Sequence, residues 1–140
     1  MQSSTFTLTT PDGTEVFVNR WLPDDGAPKA VVQIAHGLAE HSSRYARFAQ
    51  RLTDHGYAVY GSDHRGHGKT SSPRGSFAEH DGWQTVIDDL HAVTDRAREE
   101  QPGLRGGEED ADAADRAGPA GGAREHEAGE LRTVLRGIPT

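Results

Sequence analysis

The sequence contains no cysteine. Disulfide frameworks and thiolate metal sites are therefore excluded from the outset. Lysine is nearly absent too, two residues against 13 arginines, and aromatic side chains supply only 6% of the 140 positions. A hydrophobic share of 33% and a mean hydropathy of -0.76 are low for a packed domain of this length, and the deficit is unevenly spread. Long apolar runs are missing: nothing approaches the roughly 20 residues that a membrane-spanning helix requires. The first residues, Met1-Gln2-Ser3-Ser4-Thr5-Phe6-Thr7, offer neither the basic start nor the apolar stretch of a secretory leader. The expectation is a soluble, cytoplasmic protein.

An excess of positive charge is also lacking. The formal net charge is -7, and it is negative on both sides of Leu104, with 10 basic against 14 acidic residues up to that point and 5 against 8 beyond it. Neither part presents the basic face that nucleic acid or an anionic membrane demands, so no nucleic-acid partner is expected. The length suits one domain rather than two.

What is present is a succession of short patterned segments. Thr5-Phe6-Thr7-Leu8-Thr9 alternates apolar with β-branched polar residues, Glu15-Val16-Phe17-Val18-Asn19-Arg20-Trp21 does much the same, and Pro11-Asp12-Gly13 between them is a turn signal, so a β-hairpin is predicted. After a surface loop, Asp24-Asp25-Gly26-Ala27-Pro28, the run Val31-Val32-Gln33-Ile34-Ala35 reads as a strand buried on both faces. Between Arg44 and His55 the residues Tyr45, Phe48, Ala49 and Leu52 fall at helical spacing, and Gly56 occupies the place of a left-handed C-terminal cap. A further strand, Tyr57-Ala58-Val59-Tyr60-Gly61, precedes a polar loop broken by Pro73 and Gly75. Over residues 82–100, Trp83, Val86, Ile87, Leu90, Val93 and Ala97 mark one helical stripe, with Asp81 as the expected N-cap and Pro102-Gly103 as the stop. Two strand–helix units in succession predict an α/β fold with a parallel sheet and right-handed crossovers.

Residues 105–140 are different in kind. They are mostly Ala, Gly, Arg, Asp and Glu, with Leu131, Val134, Leu135 and Ile138 as the only large apolar residues. Such a composition cannot bury enough surface to offset the entropy of ordering it. The sequence thus divides into a partial domain over residues 1–104 and a disordered tail, with at most a weak helical turn over residues 130–136.

The stretch around which the chain is organised runs from Val31 to Tyr45, with His36-Gly37-Leu38-Ala39-Glu40-His41 directly after the buried strand. A glycine there lets the backbone turn with its N–H groups outward, at the end of the sheet where α/β folds place their chemistry. Alone, the pattern is a weak signal and reads first as a simple tight turn, because many strands end in glycine. Taken with Arg44-Tyr45, then Ser62-Asp63-His64-Arg65-Gly66-His67-Gly68, then Phe77-Ala78-Glu79-His80-Asp81-Gly82-Trp83, it resembles the α/β-hydrolase superfamily. More closely, it is similar to the monoacylglycerol lipase and lysophospholipase branch, grouped with the serine aminopeptidase-like hydrolases, over residues 5–104. The resemblance implies a serine hydrolase of carboxylic esters, with a small lipid or ester as substrate and no metal or other cofactor. It implies that the backbone N–H of Leu38 forms half of an oxyanion hole, in a turn that His36 and Gly37 shape beside the substrate, and that Glu40 and Arg44 lie near the alcohol part of that substrate. Glu40 and Arg44 also admit a local reading, a salt bridge at a helix start.

Eight histidines invite a metal reading, either Asp63-His64 with His67 or His36 with His41. These lie in turns without a recognisable ligand spacing, so no metal site is expected. The loop from Asp63 to Gly68 reads as structural, braced by Asp63 and Arg65.

A serine hydrolase also needs a nucleophile on a strained elbow, usually Gly-x-Ser-x-Gly, followed by an acid and a histidine. In the family resembled, the elbow strand follows a Pro-Gly-Leu-like segment, whereas here Pro102-Gly103-Leu104 leads into Arg105-Gly106-Gly107-Glu108. None of the eight serines sits in an elbow, and His126 is the only histidine after Leu104. A reading frame shifted near Leu104 accounts for the change, and the Ala-, Gly- and Arg-rich tail fits a GC-rich gene read out of frame. Two expectations follow. As given, the chain is a catalytically incomplete fragment, and its strand Val31-Val32-Gln33-Ile34-Ala35, lacking the nucleophile strand as neighbour, becomes an exposed edge prone to self-association and marginal stability. The alternative is a non-catalytic binding module that pairs through that edge.

Overall fold

The computed structural model describes residues 1–37, 39–78 and 80–104. The expected tail, with its helical turn over residues 130–136, lies outside the described residues, as does Leu38.

The hairpin forms where alternation and the Pro-Asp-Gly turn place it. Strand β1 (Gln2–Thr9) pairs antiparallel with β2 (Glu15–Leu22), from Thr9 opposite Glu15 to Gln2 opposite Leu22. The turn closes through Gly13 N–H to Thr10 O and Thr10 N–H to Thr14 O, both 2.9 Å. β1 begins three residues before the alternating segment, because Gln2, Ser3 and Ser4 complete the ladder against Leu22, Trp21 and Arg20. There, cross-strand pairing overrides weak local propensity.

Strand β3 (Ala30–Ala35) leads through a 3₁₀ turn, Ser42–Tyr45, into helix α1 (Ala46–Asp54). Strand β4 (Tyr57–Ser62) follows, and helix α2 (Gly82–Glu100) closes the described fold. The strand order is β1-β2-β4-β3. β4 runs parallel to β3, in register from Ala30 opposite Tyr57 to Ala35 opposite Ser62, and antiparallel to β2. The fold is the expected α/β arrangement, with the parallel pair joined through α1 and the hairpin making the sheet mixed. Among the described strands, β3 lies at an edge.

Each face of the sheet has its own apolar cluster. Trp21, Val32, Ile34 and Val59 pack with Ala49 and Leu52 of α1, while Val16, Val18, Ala58 and Tyr60 pack with Val93 and Ala97 of α2. Alternate β3 side chains thus enter opposite layers, which accounts for its nearly continuous apolar run. Gln33 is the buried exception, and it is satisfied: its Nε2–H donates to Leu90 O at 2.9 Å and its Oε1 accepts from Thr94 Oγ1 at 2.7 Å.

Three expectations need correction. The α-helix starts at Ala46, because Tyr45 belongs to the 3₁₀ turn, and Phe48 points outward at 43% exposure. Trp83 is 71% exposed and not part of the buried stripe, which consists of Val86, Asp89, Val93 and Ala97. Asp81 stands at the N-cap position in a left-handed conformation (φ 50°) with no side-chain cap bond; its carbonyl accepts from Thr85 N–H at 2.9 Å instead. A capping carboxylate needs an extended backbone to reach the first free amides, and Asp81 lacks it. Gly56, by contrast, has the left-handed φ of 86° expected of a C-terminal cap.

Candidate functional site

The parallel register sets the site. Because Ala35 stands opposite Ser62, β3 and β4 release their chains side by side at the same end of the sheet. His36 and Gly37 leave one strand there as Asp63 and His64 leave the other.

His36 is buried at 5% exposure, and its partners determine its tautomer. Its Nδ1–H donates to Gly37 O at 2.8 Å, and its Nε2 accepts the His64 backbone N–H at 2.9 Å. His64 returns the bond through Nε2–H to His36 O at 3.0 Å. The centroids of the two rings lie 4.1 Å apart, and that of His67 stands 5.4 Å from His36. Burial holds the His36 ring below the ordinary histidine value despite the bond to Gly37 O. Burial, and then the neighbouring His36, push His64 down to about 4.

Gly37 does not use the freedom of a glycine in the expected way. Its φ is not positive, and a Cβ there would meet only the Glu40 carboxylate, Oε2 at 3.4 Å and Cδ at 3.9 Å. The left-handed residue is Ala39, with φ 59°, whose N–H is directed at His67 Nε2 at 3.4 Å. Glu40 folds back over the turn. Its Oε2 accepts from Tyr45 Oη at 2.7 Å and from Gly37 N–H at 3.2 Å, and its Oε1 pairs with Arg44 at 3.3 Å. The Tyr45 hydroxyl, and then the Gly37 amide, hold Glu40 below the ordinary carboxylate range. The local salt bridge between Glu40 and Arg44 is thus formed. The structure brings His36, Gly37, Glu40 and Arg44 into one turn.

The loop after β4 is braced as expected. Asp63, almost fully buried, accepts from Ser42 N–H at 2.7 Å, Ser42 Oγ at 2.6 Å and Lys69 N–H at 2.9 Å, tying the end of β4 to the 3₁₀ turn. Gly68 is required here: its φ is 53°, and a Cβ would stand 2.0 Å from Asp63 Oδ2. Arg65 forms a two-pronged pair with Asp89 of α2, Nε to Oδ2 at 2.7 Å and Nη2 to Oδ1 at 3.0 Å, and also pairs with Asp12 in the hairpin turn.

An open, polar recess of about 370 Å³ lies between the turn and this loop, lined by Glu40, His67, Thr70, Ser72 and Arg74 among others. Among the described residues no group of three or more His, Asp or Glu side chains is placed to hold a metal ion. Of the serine hydroxyls in these loops, Ser42 donates to Asp63, Ser43 accepts from Asn19 Nδ2–H at 3.1 Å, and Ser72 accepts from Gly66 N–H. The His36–His64 contact, the Tyr45–Glu40 bond and Asp89 as the partner of Arg65 are not among the sequence-based expectations. Only the two-residue offset of His64 beyond Ser62, set against His36 after Ala35, hinted at the first.

A family model described as Serine aminopeptidase, S33 matches residues 26–106, more than half of the chain. Monoacylglycerol lipase of Mycolicibacterium smegmatis is 45% identical over 62 residues, covering 44% of this chain and 22% of that protein. Human monoglyceride lipase is 32% identical over 97 residues, covering 69% of this chain and 31% of that protein. A solved structure, a thermostable carboxyl esterase from Bacillus coagulans in complex with glycerol, superposes with a TM-score of 0.61 at 26% identity, over 74% of this chain and 34% of the esterase. The chain therefore spans less than a third of the length of these two lipases. No described helix is long and apolar enough to cross a membrane.

Proposed function

We propose, since the chain belongs to the serine aminopeptidase S33 family, that it is the oxyanion-bearing portion of a hydrolase of the monoglyceride lipase type, and that these 140 residues alone do not turn over. The parent reaction is hydrolysis of a carboxylic ester, with monoacylglycerols or lysophospholipids as the leading substrates. A serine attacks the acyl carbonyl, and the Leu38 N–H helps to hold the resulting oxyanion. Loss of one such donor typically costs about 100- to 1000-fold in rate. His36 and Gly37 shape the turn, and the Glu40–Arg44 pair faces the alcohol portion of the ester. The observation that carries this reading is the His36-Gly37 turn at the end of β3, matched by the family over residues 26–106.

Inactivity follows from what the sequence omits. The family match ends at residue 106, two residues past Leu104, where the composition changes, and a reading frame shifted there accounts for both. A polypeptide without elbow serine, acid and base polarises a carbonyl at most. The cytoplasm is the compartment assigned, in keeping with a chain free of cysteine. A non-catalytic module that pairs through β3, with another chain or a second copy, is the alternative, favoured by the edge position of β3 among the described strands.

The test is labelling with a fluorophosphonate probe and turnover of a p-nitrophenyl ester, run beside a version whose frame is restored after Leu104. The expected result is no labelling of this chain and labelling of the restored one. Labelling of this chain overturns the account of the missing nucleophile, and the lack of any elbow in the neighbouring frames of the gene favours the binding module.

A further inference from the structure

We propose that His36 and His64 form an acid-released clasp: uncharged, they hold the turn after β3 against the turn after β4, and protonation frees both turns without unfolding the sheet. The inference goes beyond the ester-hydrolase reading and stands whether or not the turn serves catalysis.

The geometry demands a neutral His36 and sets the His64 ring against it. His36 Nε2 is the acceptor for the His64 N–H at 2.9 Å. A proton on that nitrogen turns the acceptor into a second donor, and the bond is lost. With ring centroids 4.1 Å apart, two charged imidazoles repel strongly in a site from which water is largely excluded.

The groups facing the pair give it its balance. The carboxylates of Asp63 and Glu40 favour a charged His36, and His67 opposes it. Both carboxylates are already committed, Asp63 to the two Ser42 donors and Lys69 N–H, and Glu40 to Tyr45, Gly37 and Arg44. Around His64 the opposing groups are His36 and His67, with Asp63 again favouring charge. Burial is the largest influence on both rings and keeps them neutral.

The sign follows. An unfolded histidine titrates near 6.5, whereas folded His64 is pushed down to about 4. The clasped form is therefore at full strength above the unfolded value and weakens as pH falls toward the folded one. Opening stays local because neither ring belongs to the two apolar clusters or to the β3–β4 ladder, which ends at Ala35 and Ser62. Ala39, strained at φ 59° and directed at His67 through its N–H, is released with the turn.

The experiment is an NMR titration of the isotope-labelled 140-residue chain from about pH 7.5 to about pH 3, following imidazole and backbone amide signals. The amides of Gly37, Ala39 and His64 are expected to move together, in step with the His64 ring and with a midpoint below the ordinary histidine value, while those of β1, β2 and α2 stay in place. In His64→Gln the side-chain amide takes over the donation to His36 O and accepts no proton; the turn amides then follow the His36 ring alone. Turn amides that stay fixed while the rings titrate overturn the proposal. So do a His64 midpoint at the ordinary value, an unchanged transition in the Gln variant, or a neutral-pH spectrum without the paired rings. If the Gln variant does not fold, the titration of the native chain decides.

Discussion

Arg65 joins three parts of the fold through one guanidinium, and removing its partner tests whether that junction holds them together. The Arg65 and Asp89 side chains are 5% and 8% exposed and meet through two charge-assisted bonds of 2.7 and 3.0 Å. Arg65 also reaches Thr14 Oγ1 at 3.0 Å and Thr10 Oγ1 at 3.2 Å, beside the half-exposed Asp12. Asp89, and then Asp12, hold its guanidinium well above the usual arginine value. Breaking a buried pair from one side costs about 3–5 kcal/mol, because the remaining charge is left without a partner in a poorly solvated place. For Asp89→Leu the expected loss is about 3 kcal/mol, the lower end, since Asp12 still faces the guanidinium. Arg65→Met strands the Asp89 carboxylate and costs about 3–5 kcal/mol. The double variant removes both charges and falls within about 1 kcal/mol of the native chain, as replacing both members by apolar groups of similar size often does. Urea unfolding followed by circular dichroism measures all four proteins, in trimethylamine N-oxide so that even the weakest has a folded baseline. Single losses below about 1 kcal/mol, or a double variant as weak as the two singles added together, refute the reasoning.

Two further substitutions probe the turns. Gly68→Ala drives a methyl group to 2.0 Å from Asp63 Oδ2 at a φ of 53°, so the carboxylate must move and the bonds it accepts from Lys69 N–H and Ser42 are lost. A cost on the order of 4 kcal/mol or more leaves little native protein, to be read from soluble yield and the circular dichroism melt; an unchanged melting temperature contradicts the packing described. Ala39→Gly relieves a left-handed residue at φ 59°, and a gain of up to about 1 kcal/mol is expected once the entropy of the added glycine is set against the strain. A fall in the urea midpoint argues against the strain.

Legibility in the sequence tracked the range of the interaction. The hairpin could be read because alternation and a Pro-Asp-Gly turn are local, and Ala49, Leu52, Val93 and Ala97 because a helix repeats its buried face every three to four residues. Trp83 defeated the same reasoning. Spacing assigns a face relative to neighbours on the helix, but whether the first turn has anything to cover it depends on the rest of the fold, and at 71% exposure Trp83 has little. The Arg65 junction was half-legible: the loop suggested that Arg65 braces something, yet Asp89 lies 24 residues away and Asp12 lies 53 away, beyond any local window.

The site divides along the same line. His36, Gly37, Glu40 and Arg44 are neighbours in sequence, so the turn could be named from it. Besides the local bonds of Glu40, the turn is held by bonds from His64 and His67, beyond α1 and β4 in sequence, and only the parallel register brings these there. All of these residues precede Leu104. On the proposed reading, a nucleophile strand restored after that point adds a neighbour to β3, an edge among the described strands, and leaves the residues that bond at His36 and Glu40 unchanged. A restored chain that labels with the fluorophosphonate only after further changes in residues 36–68 would mean that these bonds hold the turn in a different shape from the one the proposed catalysis needs, and the clasp would then be an obstacle to the proposed oxyanion role instead of its support.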